Sequence, residues 1–387
     1  MKRASTIVCC CLFMCFLASA SITYAGGFAL YEWSNRGIAM GTTGYVFGGD
    51  ASVVATNPAL MTKHEGGEVL MGVTAIAPSS EVYINGTKHK TKDKTHLVPH
   101  AYYTQQAESN VWLGIGMFTR FGLGTQYDQG WAGQGELQSV TIQSTSINPT
   151  VAFKFSDNFS LGVGVELLKG GLQIEKTGFR ANTNGWGVGG NIGMLYDFDE
   201  QWSAAFTYRA PIRFYSSGSS TFLGTHTDND QSIEATLPSS FTLGVGYEPT
   251  EDWTLEFDTI FTRWELTDEM VYSGNLDATD RLDYKNAWRF QLGTEYWAKE
   301  WLALRAGYVY DVTPTVNYEA SYMLPANDRQ LFSTGLGFKV ADFKIDWSFM
   351  YIITKERTGM AIGAGNDNVD FKNGKTWISG LSVGYEF

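Results

Sequence analysis

Few side chains of this sequence combine the residue types and the spacing that chemistry requires. His96 and His100 are four residues apart, which on a strand places them on one face but ~13 Å apart, too far to share a metal ion. A hydrolytic mechanism needs a base beside its nucleophile, and His226 has no accompanying serine and acid that indicate one. The sequence therefore predicts no enzyme, no cofactor and no metal site.

The charge balance argues against one class of partner. The chain has 28 basic and 40 acidic residues, whereas nucleic-acid binding depends on Lys and Arg that neutralise phosphates. We therefore expect no nucleic-acid partner. Four lysines close together are consistent either with a solvated loop or with binding to lipopolysaccharide phosphates; they are Lys88, Lys90, Lys92 and Lys94.

Residues 1–25 have the features of a secretory signal peptide. Lys2 and Arg3 precede an apolar stretch, Ile7 to Leu17, and Thr23-Tyr24-Ala25 offers small residues at the positions that cleavage requires. The apolar stretch is shorter than the ~20 residues of a spanning helix, which disfavours a retained anchor. All four cysteines lie in this segment, so we expect a mature protein without thiol chemistry or disulfides.

The remaining chain has the pattern of a transmembrane β-barrel. It is rich in aromatic residues and glycine, with 12 Trp, 20 Tyr, 24 Phe and 43 Gly in the whole sequence. Past residue 25 it has no apolar run of the ~18 residues that a spanning helix needs. In residues 375–387, Trp377, Leu381, Val383 and Tyr385 alternate with small or polar residues. Such alternation predicts a strand with one apolar and one polar face, as in outer-membrane barrels.

About fourteen alternating segments between residues 67 and 387 predict an all-β, antiparallel transmembrane barrel with an even number of strands. The terminal Phe387 resembles the signal that the barrel assembly machinery reads. A closed barrel has no sheet edge to pair, so we expect a monomer. Longer polar stretches are predicted as loops outside the cell, at 79–96, 176–184, 217–230, 266–281, 314–328 and 356–373.

Residues 26–66 do not alternate and contain Gly37, Gly41, Gly44, Gly48 and Gly49. A disordered periplasmic tail is one interpretation of this segment. Its apolar content argues against disorder, and we predict instead an N-terminal hatch that plugs the barrel of residues 67–387.

Several motifs, in order, resemble FadL-type (OmpP1/FadL/TodX) outer-membrane transporters of long-chain fatty acids and other hydrophobic compounds. The motifs cover the mature chain: Gly27-Phe28-Ala29-Leu30, Ser34 to Met40, Asn57-Pro58-Ala59-Leu60, Phe121-Gly122-Leu123-Gly124-Thr125, Leu237-Pro238, residues 244–247, Trp253, Lys285 to Arg289, Leu292-Gly293 and Asp328-Arg329. The resemblance implies a fourteen-stranded barrel with a hatch. It also implies passive diffusion of a hydrophobic substrate to an inner pocket and lateral exit at a kinked third strand.

The resemblance assigns roles to individual residues. Phe28 and Leu30 match the start of the hatch and are expected in the substrate pocket, whereas Asn57, Pro58 and Ala59 are expected in the hatch or gate. Phe121, Gly122 and Gly124 match the kink, where glycines permit a break in strand pairing.

The family's basic positions for a carboxylate head group match imperfectly. They fall near Gly171 and Asp280, which leaves Lys169, Arg281 and Lys285 as candidates. An uncharged substrate, either an alkane or a monoaromatic hydrocarbon, therefore stays open. A nonspecific aqueous porin and a structural barrel are less favoured alternatives.

Overall fold

A computed structural model describes residues 28–363, 365–366 and 368–387, so the predicted signal peptide lies outside the described residues. Within these residues one antiparallel sheet closes into a barrel of fourteen strands, as predicted. The sheet comprises β1 Gly67–Ile84, β2 Thr87–Lys90, β3 His96–Glu108, β4 Val111–Phe118, β5 Leu123–Gln126, β6 Ser139–Lys154, β7 Phe159–Lys176, β8 Phe179–Asp197, β9 Trp202–Arg209, β10 Ile212–Phe222, β11 Thr225–Leu237, β12 Ser239–Thr250, β13 Trp253–Arg263, β14 Glu269–Gly274, β15 Ala278–Arg281, β16 Ala287–Lys299, β17 Leu302–Asp311, β18 Arg329–Val340, β19 Phe343–Thr354, β20 Arg357–Met360 and β21 Val369–Glu386.

The barrel closes where the last strand pairs with the first, with Val73 opposite Leu381. Several barrel strands consist of two segments; the third, for example, is β4 followed by β5. On β21 the predicted apolar face points outward, since Leu381 is 50% exposed while Ser382 on the other face is 1% exposed. An apolar exterior of this kind suits a lipid environment.

Strands extend further than the hydrophobic pattern predicted. Parts of the predicted outer loops are paired strands, among them residues 79–84 of β1 and 179–184 of β8. These extensions are rich in Ser, Thr, Asn and charged residues, so they lack the apolar face that marks a strand in lipid. Backbone pairing alone, which the sequence does not reveal, defines them.

The N-terminal segment, residues 28–66, lies within the barrel. It contains two short α-helices, Asn35–Ala39 and Val53–Thr56, and a 3₁₀ helix, Pro58–Lys63. Two further 3₁₀ helices, Trp264–Leu266 and Asn317–Glu319, lie in loops. The segment's apolar side chains are buried against the barrel wall, with Ile38 and Val54 at 0% exposure. No helix of the described residues is long and apolar enough to cross a membrane.

Candidate functional site

The third barrel strand is kinked between β4 and β5. Phe118 pairs with Ser146 and Leu123 pairs with Ile142, so four residues, 119–122, face three, 143–145, on β6. Leu123 carries the distorted backbone, with φ of +79°. Position 124 requires a glycine, because the β6 backbone lies so close that a Cβ there would be 2.2 Å from the Val140 carbonyl oxygen. The kink is therefore an extra residue built into the strand.

The backbone of the kink finds partners outside the usual strand ladder. Leu30 N donates to Arg120 O over 2.7 Å, and Gly122 N donates to Phe28 O over 3.3 Å. Ala29 and Phe121 consequently form an antiparallel bridge. Ser144 Oγ donates to Phe121 O over 2.6 Å. Because unpaired backbone groups are costly in lipid, these contacts stabilise the break in the wall.

The kink leaves a gap in the barrel wall. β3 pairs with β4 only from Ala101 to Glu108, and among the described residues its start, 96–100, pairs with β1 alone. β5 on the other side of the gap pairs with β6. The gap is bridged at its outer end, where Lys92 N donates to Gln126 O over 2.7 Å.

A cavity of about 160 Å³ lies at this gap. The N-terminal residues 28–30 form one side of it and residues 122–126 of the kinked strand form another. Leu324 and Pro325 of an outer loop also line it, together with His96. The structure thus brings Phe28, Leu30, Gly122 and Gly124 to one cavity.

Phe28 occupies an aromatic pocket behind the gap. Its ring lies 5.9 Å from Phe121, 5.2 Å from Trp264 and 6.5 Å from Tyr284, measured between ring centroids. Each such pair contributes ~0.5–1.5 kcal/mol beyond the area buried. The sequence analysis missed Trp264 and Tyr284, because they lie in connections between strands whose course the alternating pattern does not reveal.

A charged cluster beside this pocket was also missed. Arg120 of the kink and Arg209 of β9 both donate to Glu166 of β7, over 3.1 and 2.7 Å. Neighbouring Tyr31 hydrogen-bonds to Thr262 over 3.2 Å, and burial raises the pKa of Tyr31. In the sequence, Glu166 is one polar residue within the alternating stretch 161–167. Arg120 and Arg209 lie 46 and 43 residues from Glu166 in the sequence, so no local sequence pattern links the three residues.

The rest of the N-terminal segment is anchored by charge. Glu256 of β13 accepts hydrogen bonds from four successive backbone N–H groups, those of Gly44, Tyr45, Val46 and Phe47, over 2.6 to 3.0 Å. Arg36 pairs with Glu295 of β16 over 3.0 Å. Both carboxylates are buried. Charged hydrogen bonds of this kind are stronger than neutral ones.

Asn57, Pro58 and Ala59 lie away from the gap, against β7 and β8. Asn57 Oδ1 accepts from Ala59 N over 3.1 Å and caps the 3₁₀ helix, while its Nδ2 donates to Met194 O over 3.1 Å. A Cβ at Gly162 would lie 2.5 Å from the Pro58 carbonyl carbon. The glycine therefore admits the backbone of this motif, which gives the three residues a clear docking role.

The three basic candidates are not brought to the cavity. Lys169 is exposed on the outward face of β7, with Nζ 5.6 Å from the centre of the Trp186 ring. Arg281 at the end of β15 and Lys285 after it are also exposed. Alternation explains the position of Lys169, because it shares the parity of the lipid-facing Val165 and Leu167.

A second cavity, about 400 Å³, is lined by a different kind of residue. Its lining includes Glu248, Glu295, Lys339 and Asp346. Such charged walls do not suit an alkyl chain, which loses ~0.8 kcal/mol per CH₂ when it is left in water. The smaller cavity at the gap also has basic side chains in its lining, but Phe28, Leu30, Leu123 and Leu324 make it the more apolar of the two and the better candidate for an apolar ligand.

A closed barrel with an apolar exterior, a filled lumen and a cavity at a break in its wall is the architecture of an outer-membrane transport protein. The chain belongs to the outer membrane protein transport protein family (OMPP1/FadL/TodX), whose model matches residues 16–387. It is accordingly a multi-strand barrel protein of the outer membrane of a Gram-negative bacterium.

Relatives and solved structures agree with this assignment. The chain is 24% identical to a long-chain fatty acid transport protein of Escherichia coli O6:H1, over 94% of this chain and 95% of that one. It is 24% identical to outer membrane protein P1 of Haemophilus influenzae, over 88% and 90%. The fold resembles a Pseudomonas aeruginosa FadL homologue (TM-score 0.82, 16% identity, 95% and 100% covered). It also resembles the Ralstonia pickettii toluene transporter TbuX (TM-score 0.72, 14% identity, 92% and 100% covered).

Proposed function

We propose that this chain is an uptake channel that admits long-chain fatty acids or similar hydrophobic molecules by passive diffusion. The observation that carries the proposal is the cavity between residues 28–30 and the kinked strand, at a gap in the wall. An alkyl chain that leaves through this gap enters lipid directly. It avoids the cost of ~0.8 kcal/mol for each CH₂ exposed to water.

In this proposal residues 28–66 are a hatch. The buried, charge-anchored part closes the lumen, and residues 28–30 occupy the place that substrate takes. This arrangement disfavours a nonspecific aqueous porin, which needs an open lumen. The cavity combines apolar side chains with small polar ones and with the basic residues Lys92, Lys94, Arg329 and Lys375. This lining shows no nucleophile hydrogen-bonded to a base, which disfavours a hydrolytic role.

The test is uptake of labelled oleate by Gram-negative cells that lack their own transporter, with and without this chain. We expect uptake above background, and less of it with Phe28→Ala, which removes the ring held by three aromatic neighbours. Background uptake by a barrel shown to be inserted and folded would reject long-chain fatty acids.

A monoaromatic hydrocarbon is the second candidate. The aromatic pocket around Phe28 favours it, because rings of this size stack well with Phe121, Trp264 and Tyr284. Labelled toluene in the same cells distinguishes the two candidates. Toluene uptake without oleate uptake would place hydrocarbons first.

The membrane partners follow from the same proposal. Phe387 is the terminal residue that the barrel assembly machinery reads, and the closed sheet favours a monomer. Lys88, Lys90 and Lys92 pair with Glu81, Asp93 and Asp128 on the outer side. Because these exposed pairs are weak, the lysines can exchange their partners for lipopolysaccharide phosphates. Replacing all four lysines of this loop with Gln should lower thermal stability in lipopolysaccharide but not in detergent.

A further inference from the structure

The cluster of Arg120, Arg209 and Glu166 has more positive than negative charge. Two guanidinium groups share Glu166 Oε2, over 3.1 and 2.7 Å, and the other oxygen accepts from Ser146 Oγ over 2.6 Å. The side chains of Arg120, Arg209 and Glu166 are 5%, 7% and 0% exposed. One buried positive charge is therefore left without an anion in this cluster.

Two other buried arginines of the described chain are matched by an equal number of carboxylates. Arg36 and Arg305 meet two carboxylates, Glu295 and Asp346. Arg289 and Arg329 share Asp311, and Glu32 adds a second attraction on Arg329. Since an uncompensated buried charge is costly, the excess beside Arg120 points to an anion that is bound there during function.

Arg120 is positioned to meet that anion. It belongs to the kink, and it lines a cavity of about 20 Å³ together with Ala29, Leu30 and Phe121. That volume holds about one water molecule and no more. Residues 28–30 limit the size of this cavity, because Leu30 N donates to Arg120 O and Ala29 forms a β-bridge with Phe121. A larger anion reaches the guanidinium when residues 28–30 leave the kink.

We propose that Arg120 is the specificity-determining cation of this channel and selects amphiphiles with a carboxylate head group. The proposal rests on the uptake function proposed above. Guanidinium binds carboxylate through paired N–H donors, and the cavity at the wall gap receives the tail. In this chain the head group is thus read on the kinked strand itself, and neither Lys169 nor Arg281 is needed.

The experiment compares two ligands that differ only in the head group, oleate and oleyl alcohol, with the purified full chain in detergent at pH 7.5. Affinities are measured for the native chain, Arg120→Gln, Arg120→Lys and a control, Arg213→Gln, which removes an exposed arginine of β10. Thermal unfolding of each variant reports whether the barrel is intact.

We expect Arg120→Gln to lower the affinity for oleate by about tenfold, which is the effect of losing one charged hydrogen bond. The affinity for oleyl alcohol should not change. Arg120→Lys should restore part of the oleate affinity, and Arg213→Gln should bind both ligands as the native chain does. An unchanged ratio of oleate to oleyl alcohol affinity in a folded Arg120→Gln protein would overturn the role of Arg120 while leaving the uptake function standing. If the native chain binds neither ligand, the proposed function and the role of Arg120 fail together.

Discussion

The two ends of the N-terminal segment are held in different ways. Its start, residues 28–30, contacts the kink through neutral backbone hydrogen bonds, as between Leu30 N and Arg120 O, and through the ring of Phe28. Residues 34–63 are held by charged groups, with Glu256 accepting four N–H groups and Arg36 paired with Glu295. Hydrogen bonds to charged groups contribute ~1.5–3 kcal/mol each and neutral ones ~0.5–1.5. We therefore expect the start to move more readily than the remainder.

This difference divides the proposed tasks of the segment. In the proposed uptake function, the fixed part keeps the lumen closed to water and the start uncovers the cavity at the gap. Substrate binding then needs only a local change of a few residues, since local opening costs far less than global unfolding.

The largest effect on the docking of the N-terminal segment is expected from Glu256→Gln, which weakens the hydrogen bonds that hold residues 34–63 in the barrel. The amide nitrogen of Gln would face the Phe47 N–H, which now donates to Glu256 Oε2 over 3.0 Å, and the carboxylate charge would be lost. We expect the free energy that docks the segment to fall by at least about 3 kcal/mol, because hydrogen bonds to charged groups contribute this much. Protease cleavage within residues 34–63 and ion conductance in planar bilayers should both rise. Unchanged cleavage and conductance would show that Glu256 is not an anchor.

Deleting Gly122 tests the kink, which residues 28–30 contact. It removes the extra residue, so that three residues of the third strand face three on β6, which favours a continuous ladder. We expect uptake of oleate to fall to the background of cells without the protein, while the barrel stays folded by heat-modifiability on gels. Normal uptake through a deletion variant would argue against exit at the kink.

A moderate effect is expected where the fixed part docks on β7. Gly162→Ala places a Cβ 2.5 Å from the Pro58 carbonyl carbon, and overpacking of this kind costs ~1–3 kcal/mol. Thermal unfolding should shift downward relative to Gly135→Ala, since nothing lies within 4 Å of a Cβ at Gly135. Equal stability of the two variants would mean that the Asn57-Pro58-Ala59 motif is loosely packed.

The smallest effect is expected from Lys169→Gln on the outer face. Lys169 is exposed beside Trp186, and substitutions at such positions change stability by no more than ~0.5 kcal/mol. Oleate uptake should stay within about twofold of native, because the effect on binding is of the same small size. A large loss of uptake would return Lys169 to the substrate route.

The elements that repeat a simple pattern were predictable from the sequence. Alternation in residues 375–387 predicted a strand with one apolar and one polar face, because a strand in a membrane must keep one side apolar. The glycines and Phe121 located the kink through the resemblance. The distorted backbone at Leu123, by contrast, could not be predicted. It arises because four residues of the third strand face three residues of β6, and the strand pairing that sets these numbers is not visible in the sequence.

The charged side of the site was not predictable in the same way. Arg120, Glu166 and Arg209 lie on three strands and meet only in the closed barrel. The head-group candidates Lys169, Arg281 and Lys285 were basic residues near the family's positions, and nearness in sequence does not report the face on which a side chain lies. The parity of β7 already placed Lys169 with the outward residues, and this signal was available before the structure.

Two disulfides test whether the start of the segment moves while the remainder stays fixed. Residues 26–387 contain no cysteine, so an Ala29→Cys, Phe121→Cys pair can be oxidised specifically across the observed bridge. Thr62→Cys, Ser160→Cys is the matched control in the fixed part, where the two hydroxyl oxygens lie 2.7 Å apart.

Uptake of labelled oleate is measured for both pairs, oxidised and then reduced with dithiothreitol. We predict that the disulfide at the kink abolishes uptake, that reduction restores it, and that the disulfide between residues 62 and 160 leaves it unchanged. Undiminished uptake with the kink disulfide fully formed, or loss of uptake with the control disulfide, would contradict the division into a moving and a fixed part.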